Sequence, residues 1–123
     1  MSEVDTLEPA PTKPVIPFSQ LDGVDVRVGT IESVSDIRDS RNLVRFVVDF
    51  GDHKRTVLAG MKQEREDLRS LVGAQTLFVV NLEPREMAGE TSEAMFFDLG
   101  YADGIVPALA VPERPVPDGT RAG

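Results

Sequence analysis

The stretch from Val24 to Val34 constrains this chain most. It reads Val-Asp-Val-Arg-Val-Gly-Thr-Ile-Glu-Ser-Val. Apolar and polar residues alternate, as in a strand with one buried face. The alternation changes parity at Gly29: Val24, Val26 and Val28 precede it, and Ile31 follows. A glycine at such a change predicts a bulge or a sharp bend. Small barrels use that device in a strongly coiled first strand, so the stretch predicts a curled sheet.

The following residues extend the pattern. Asp36 to Asn42 is a charged turn. Leu43–Phe50 reads as a second strand, with Phe46, Val48 and Phe50 on one face. Gly51-Asp52-His53 turns the chain into a third strand, Lys54–Ala59, which Gly60 ends. Gln63–Leu71 predicts a helix. It is rich in helix formers, Leu68 and Leu71 supply a narrow apolar side, and Gly73 stops it. Thr76–Tyr101 holds two further strands, Leu77–Val80 and Ala94–Phe97, joined by a loop of about ten residues, long for a hairpin connection. Ile105–Val111 reads as an edge or irregular segment, because Pro107 has no N–H for a ladder.

Three strands, a helix and two strands is the order of an OB-fold. The expected class is all-β: a five-stranded Greek-key barrel with one short helix between strands three and four. With 123 residues, 41% of them hydrophobic, the chain supports one such domain, residues 18–123. Residues 1–17 carry four of the nine prolines and no periodicity, which predicts a flexible N-terminal tail. At the junction, Pro17–Asp22 predicts a helical turn with Phe18 and Leu21 on one side. That turn suits either a plug over the barrel's open end or a dimer contact.

Several chemistries are excluded. There is no cysteine, so no disulfide scaffold, thiol nucleophile or thiolate metal site exists. His53 is the one histidine and lies in a hydrophilic turn, too little for a catalytic triad or a His-rich metal site. No Gly-rich phosphate loop opens a helix, and the carboxylates read as solvated surface. The expectation is a non-enzyme with no cofactor and no metal. No apolar run reaches membrane-span length, and the acidic, Pro-rich N-terminus lacks the pattern of an export signal, so a soluble cytoplasmic protein is expected. The net charge of −8 argues against a broadly basic nucleic-acid surface but leaves room for a local basic patch.

Eight of the thirteen basic residues fall in three groups: Arg38, Arg41 and Arg45; Lys54 and Arg55; and Lys62, Arg65 and Arg69. Each can be ordinary surface charge. Arg85 differs because it lies in the long loop between apolar strands; its bland alternative is a salt bridge to Glu83 or Glu86. Asn81, Arg85 and Ser92 lie at strand ends and in that loop, positions that could share one rim.

These residues carry a resemblance. Asp25-Val26-Arg27-Val28-Gly29-Thr30-Ile31 resembles the (D/E)-(I/V)-R-(V/T)-G-x-I opening of the tRNA-binding domain family. Val48-Asp49-Phe50-Gly51 matches its V-D-x-G turn. Asn81-Leu82-Glu83-Pro84-Arg85 matches N-L-x-P-R, Met87-Ala88-Gly89 stands at its (L/I)-x-G, and Ser92-Glu93-Ala94-Met95 matches S-x-x-M. The ending Pro115-Val116-Pro117-Asp118-Gly119-Thr120-Arg121-Ala122-Gly123 is similar to that of CsaA protein-export chaperones within the family.

The resemblance covers residues 18–123 and implies an OB-fold acting as a homodimer that binds tRNA largely by shape. It also implies Asn81, Arg85, Ser92 and Met95 as the RNA-facing rim. Arg85 suits a phosphate, Asn81 and Ser92 a base edge or 2′-OH, and Met95 either a soft apolar contact or the core. Phe96, Phe97 and Tyr101 are candidates for base stacking, with core packing the alternative for the two phenylalanines. Ala94 departs from the glycine common in S-x-G-M, and Glu90 and Glu93 add negative charge that would weaken phosphate affinity. Two other readings follow from the family: a chaperone holding unfolded preproteins, and a module docking on an aminoacyl-tRNA synthetase with little RNA affinity.

Overall fold

The computed structural model describes residues 8–123; the first seven residues of the expected tail lie outside the described residues. Residues 8–17 have no regular structure and are exposed. They lead into a short helix, α1 (Phe18–Asp22), which buries none of its side chains. It is therefore no plug: Phe18 and Leu21 are both exposed.

The long first strand, β1 (Val26–Asp36), organises the sheet. Val26–Thr30 pairs antiparallel with β4 (Gln75–Val79), and Thr30–Asp36 pairs antiparallel with β2 (Val44–Asp49). One strand thus serves both halves of a curled sheet, changing partner at Thr30. The register slip lies between Ile31 and Ser33, so the bulge falls at Glu32 rather than at Gly29. Gly29 has a different task. A Cβ there would lie 2.5 Å from Cγ1 of Val48 and 2.9 Å from Cε1 of Phe50, so only glycine lets β1 fold so closely over β2.

With β3 (Lys54–Ala59) and β7 (Met95–Phe96), the strand order is β3-β2-β1-β4-β7. These are the five strands of the expected all-β, OB-like fold. Alternation turns Ile31, Phe46, Val48, Val57 and Phe78 inward, all fully buried. Phe78 and Phe96 lie 4.6 Å apart by ring centroid, and Phe96 meets Phe46 edge-on at 4.9 Å, a favourable arrangement for their quadrupoles. Phe96 is therefore core and unavailable for base stacking, whereas Phe97 and Tyr101 are exposed.

One further expectation needs correction. Gln63–Leu71 does not form a helix; residues 62–64 are a turn, and only Leu68–Leu71 is helical, as a 3-10 turn. Asp67 restarts the chain there: it is extended, its carboxylate accepts from Arg69 N–H, and its carbonyl accepts from Ser70. Two leucines bury too little to offset the cost of nucleating a longer helix. Leu71 and Met61 still pack into the core, so the segment covers the barrel as the helix was expected to. Ile105–Val111 is irregular, one of the two readings that Pro107 allowed, and its pairing is a single bridge, Leu99 to Ala108. The Pro-rich C-terminus packs along the sheet. It forms β8 (Arg121–Ala122) on the side of β1 that β2 has left. There Gly119 N–H donates to Val28 O (2.7 Å) and Val28 N–H to Thr120 O (2.9 Å). Thr30 Oγ1 and Gln75 Nε2 both donate to the Asp118 carboxylate.

Candidate nucleic-acid interface

The loop between β4 and β7 is itself structured. It carries a hairpin, β5 (Arg85–Met87) and β6 (Glu90–Ser92), with Arg85 opposite Ser92. Ala88 and Gly89 at its tip both have positive φ, 51° and 76°, as a two-residue turn with the twist of the flanking strands requires. The sequence hid this hairpin because its strands are three residues each, half of those residues exposed, and without apolar alternation.

Side chains fasten the hairpin to the barrel. Arg45 on β2 forks onto the Glu90 carboxylate, with Nε 2.6 Å from Oε1 and Nη2 on Oε2. That hydrogen bond holds the Glu90 carboxyl below its ordinary range and the Arg45 guanidinium above its own. The negative charge expected to oppose phosphate at Glu90 is thereby compensated. Glu93 is also engaged: its carboxylate accepts from Thr56 N–H (2.9 Å), and its own N–H donates to Thr56 O (2.8 Å). Ser92 completes the join. Its Oγ accepts from Leu58 N–H (3.0 Å) and donates to Ala94 O (3.1 Å). Here residues 92–94 stand in for a strand along the open edge of β3.

Between the hairpin and β3 lies a shallow cleft of about 80 Å³. Its lining includes Leu82, Arg85, Met87, Ser92, Ala94 and Met95. Three of the four expected rim residues therefore meet in one place. Arg85 is exposed and, among the described residues, makes no ion pair; neither Glu83 nor Glu86 claims it. Met95 is half exposed, a surface group and not core. Ser92 is buried, with its hydroxyl committed to the joint just described. Asn81 stands outside the cleft lining. Its carboxamide accepts from Asp25 N–H (2.8 Å) and donates to Gly23 O (2.7 Å), clamping the end of β4 to the entry of β1.

A family model described as "Putative tRNA binding domain" matches residues 26–121. The chain belongs to the tRNA-binding domain family. A methionine–tRNA ligase from Methanothrix thermoacetophila is 38% identical over 107 residues, which is 87% of this chain and 15% of the ligase. The chain thus spans about 15% of the length of this curated relative. Among solved structures, a MetRS-related protein from Pyrococcus horikoshii superposes with TM-score 0.81 at 26% identity, covering 90% of this chain and all of the other. The chaperone CsaA from Bacillus anthracis strain Ames superposes with TM-score 0.73 at 25% identity, covering 89% of this chain and all of CsaA. Within this tRNA-binding domain, the hairpin cleft lies on the N-L-E-P-R and S-E-A-M segments that carry the resemblance. No described helix is long and apolar enough to cross a membrane.

Proposed function

We propose that this tRNA-binding domain binds tRNA as a homodimer, through the cleft between the β5–β6 hairpin and β3. One observation carries the reading: Arg85 is an exposed cation that makes no ion pair among the described residues, even with Glu83 in the same cleft lining, and it stands beside the apolar ledge of Leu82, Met87 and Met95. The guanidinium fork suits a backbone phosphate, and the ledge suits the face of an unstacked base. Asn81 and Ser92 act by holding the rim: Asn81 fixes the β4–β1 corner, and Ser92 seats the hairpin. The dimer reading is supported by the exposed apolar run Val15, Ile16, Phe18, Leu21 and Val24 around α1, a stretch a solitary domain does not ordinarily leave to water.

The test is a tRNA titration from low to moderate salt with a parallel measurement of solution mass. Arg85→Ala is expected to weaken binding and to flatten the salt slope by about one unit. A wild-type protein that binds no tRNA even at low salt ends the proposal. A second reading, a holder of unfolded polypeptide, draws on the largely apolar cleft and the likeness to CsaA. It requires suppression of client aggregation at stoichiometric ratio.

A further inference from the structure

A second cleft, of about 180 Å³, opens at the end of the barrel and is lined by Asp25, Arg27, Phe50, His53, Arg55, Val80 and Gly119. Strand alternation explains its composition. Arg27 shares a face of β1 with Gly29 and Ile31, and Arg55 shares a face of β3 with Val57. Phe50 and Val80 continue the inward rows of β2 and β4. The cleft is therefore the barrel mouth, with two inward-facing arginines where hydrophobic rows run out. Phe50 is its floor; His53 stacks on that ring at 5.6 Å, and the Arg55 guanidinium sits 5.7 Å from its centroid.

The two arginines are held differently. Arg27 is neutralised: Nε and Nη2 both donate to the Asp25 carboxylate, at 2.9 and 3.0 Å. Arg121 approaches the same carboxylate at 3.7 Å. Arg55 is held by groups without formal charge. Its Nη1 donates to Val80 O (2.6 Å) and Glu93 O (3.1 Å), and its Nε donates to His53 Nε2 (2.9 Å). That last bond makes His53 an acceptor at Nε2, so its ring proton lies on Nδ1, facing Asp52 at 2.6 Å. Among the described residues, Arg55 has no carboxylate partner, and its Nη2 has no acceptor. A cation fixed by neutral groups, with half of its fork unpartnered, is pre-organised for an anion. The lining itself holds two guanidinium groups, Arg27 and Arg55, and one carboxylate, Asp25, which Arg27 occupies.

We propose that the barrel mouth is a phosphate-binding site, with Arg55 as the group that holds the ligand and Arg27 as its neighbour across the opening. The volume lies below the roughly 300–1,000 Å³ of pockets that enclose whole drug-sized ligands, so it takes one compact group. A tetrahedral phosphate can accept from both Arg55 Nη2 and the remaining N–H groups of Arg27; a planar carboxylate matches only one fork. The bonds to Val80 and Glu93 also brace β3 against its neighbours, but bracing alone does not require a guanidinium whose second terminal nitrogen is unpartnered.

Titration with inorganic phosphate, followed at the Arg55 Nε–H resonance at constant ionic strength with chloride as control, tests this directly. A saturable shift with phosphate and none with chloride is expected. Arg55→Gln should weaken phosphate binding about ten- to a hundredfold, the loss of a charged hydrogen bond. Asp25→Asn should strengthen it by removing the opposing charge, and this variant tests the site if Arg55→Gln does not fold. Arg85→Ala should leave it unchanged, so the outcome is separable from tRNA binding at the hairpin cleft. Competition with 5′-phosphorylated and 5′-hydroxyl oligoribonucleotides identifies the source. Displacement by the phosphorylated strand alone assigns an RNA terminus, displacement by both assigns a backbone phosphate, and displacement by neither assigns a small free phosphate compound. An unmoved Arg55 resonance, an equal response to chloride, or unaltered phosphate affinity in Arg55→Gln would overturn the proposal.

Discussion

Replacing Ser92 with alanine isolates the joint on which the hairpin cleft depends. Leu58 N–H faces away from the β2 ladder and has the Ser92 hydroxyl as its acceptor at 3.0 Å; both residues are buried, at 5% and 7% exposure. Water therefore cannot readily replace the lost oxygen. A buried donor left unpaired costs about 1–3 kcal/mol, set against a total stability of about 5–15 kcal/mol for a domain. At about 4 °C per kcal/mol for a chain of this size, the melting midpoint should fall by roughly 4–12 °C. Urea unfolding should show a lower midpoint at unchanged slope, since the unfolded chain and the buried area barely change. Arg85→Ala is the control: its exposed side chain has no ion pair among the described residues to lose, so its midpoint should match the wild type. A Ser92→Ala protein that melts with the wild type would refute the reasoning, because β3 would then have another way of satisfying its open edge.

Two further predictions concern the barrel and its acid response. Gly29→Ala should lower the melting midpoint by an overpacking cost of about 1–3 kcal/mol, because the new methyl lies 2.5 Å from Val48 and must displace a fully buried side chain. Thermal unfolding at neutral pH checks it, and an unchanged midpoint would mean that β1 is not held so tightly over β2. Asp98 has a carboxyl raised above its ordinary value, chiefly by burial and against the attraction of Arg65. Because the folded value is the higher one, the ionised carboxylate costs stability at neutral pH, and that cost disappears as pH falls below the unfolded carboxylate range. Asp98→Asn should thus be more stable than the wild type at pH 7 and indistinguishable from it near pH 3 by urea unfolding; equal stability at pH 7 would refute the argument.

Local pattern carried some features and not others. Flanking glycines placed β3 at its observed bounds, and one-face alternation and a short apolar run placed β2 and β4 within a residue or two, since buried strands write their apolar residues into a local stretch. The same logic missed β5 and β6, whose stability comes from Arg45–Glu90 and Ser92–Leu58 contacts between residues distant in sequence. It also overcalled Gln63–Leu71, where helix propensity lost to the cap at Asp67.

By itself the sequence determined the order of strands along the chain, the curled first strand and the segments that match the tRNA-binding domain family, because these rest on short-range pattern and contiguous motifs. Only the tertiary structure decided that Arg85, Ser92 and Met95 meet in one cleft while Asn81 clamps a corner outside it. It likewise decided that Arg27 and Arg55 share the barrel mouth and that only Arg27 finds a carboxylate there. Which charges are neutralised and which stay available depends on the partner each side chain reaches across the fold, and a linear pattern does not contain that distance.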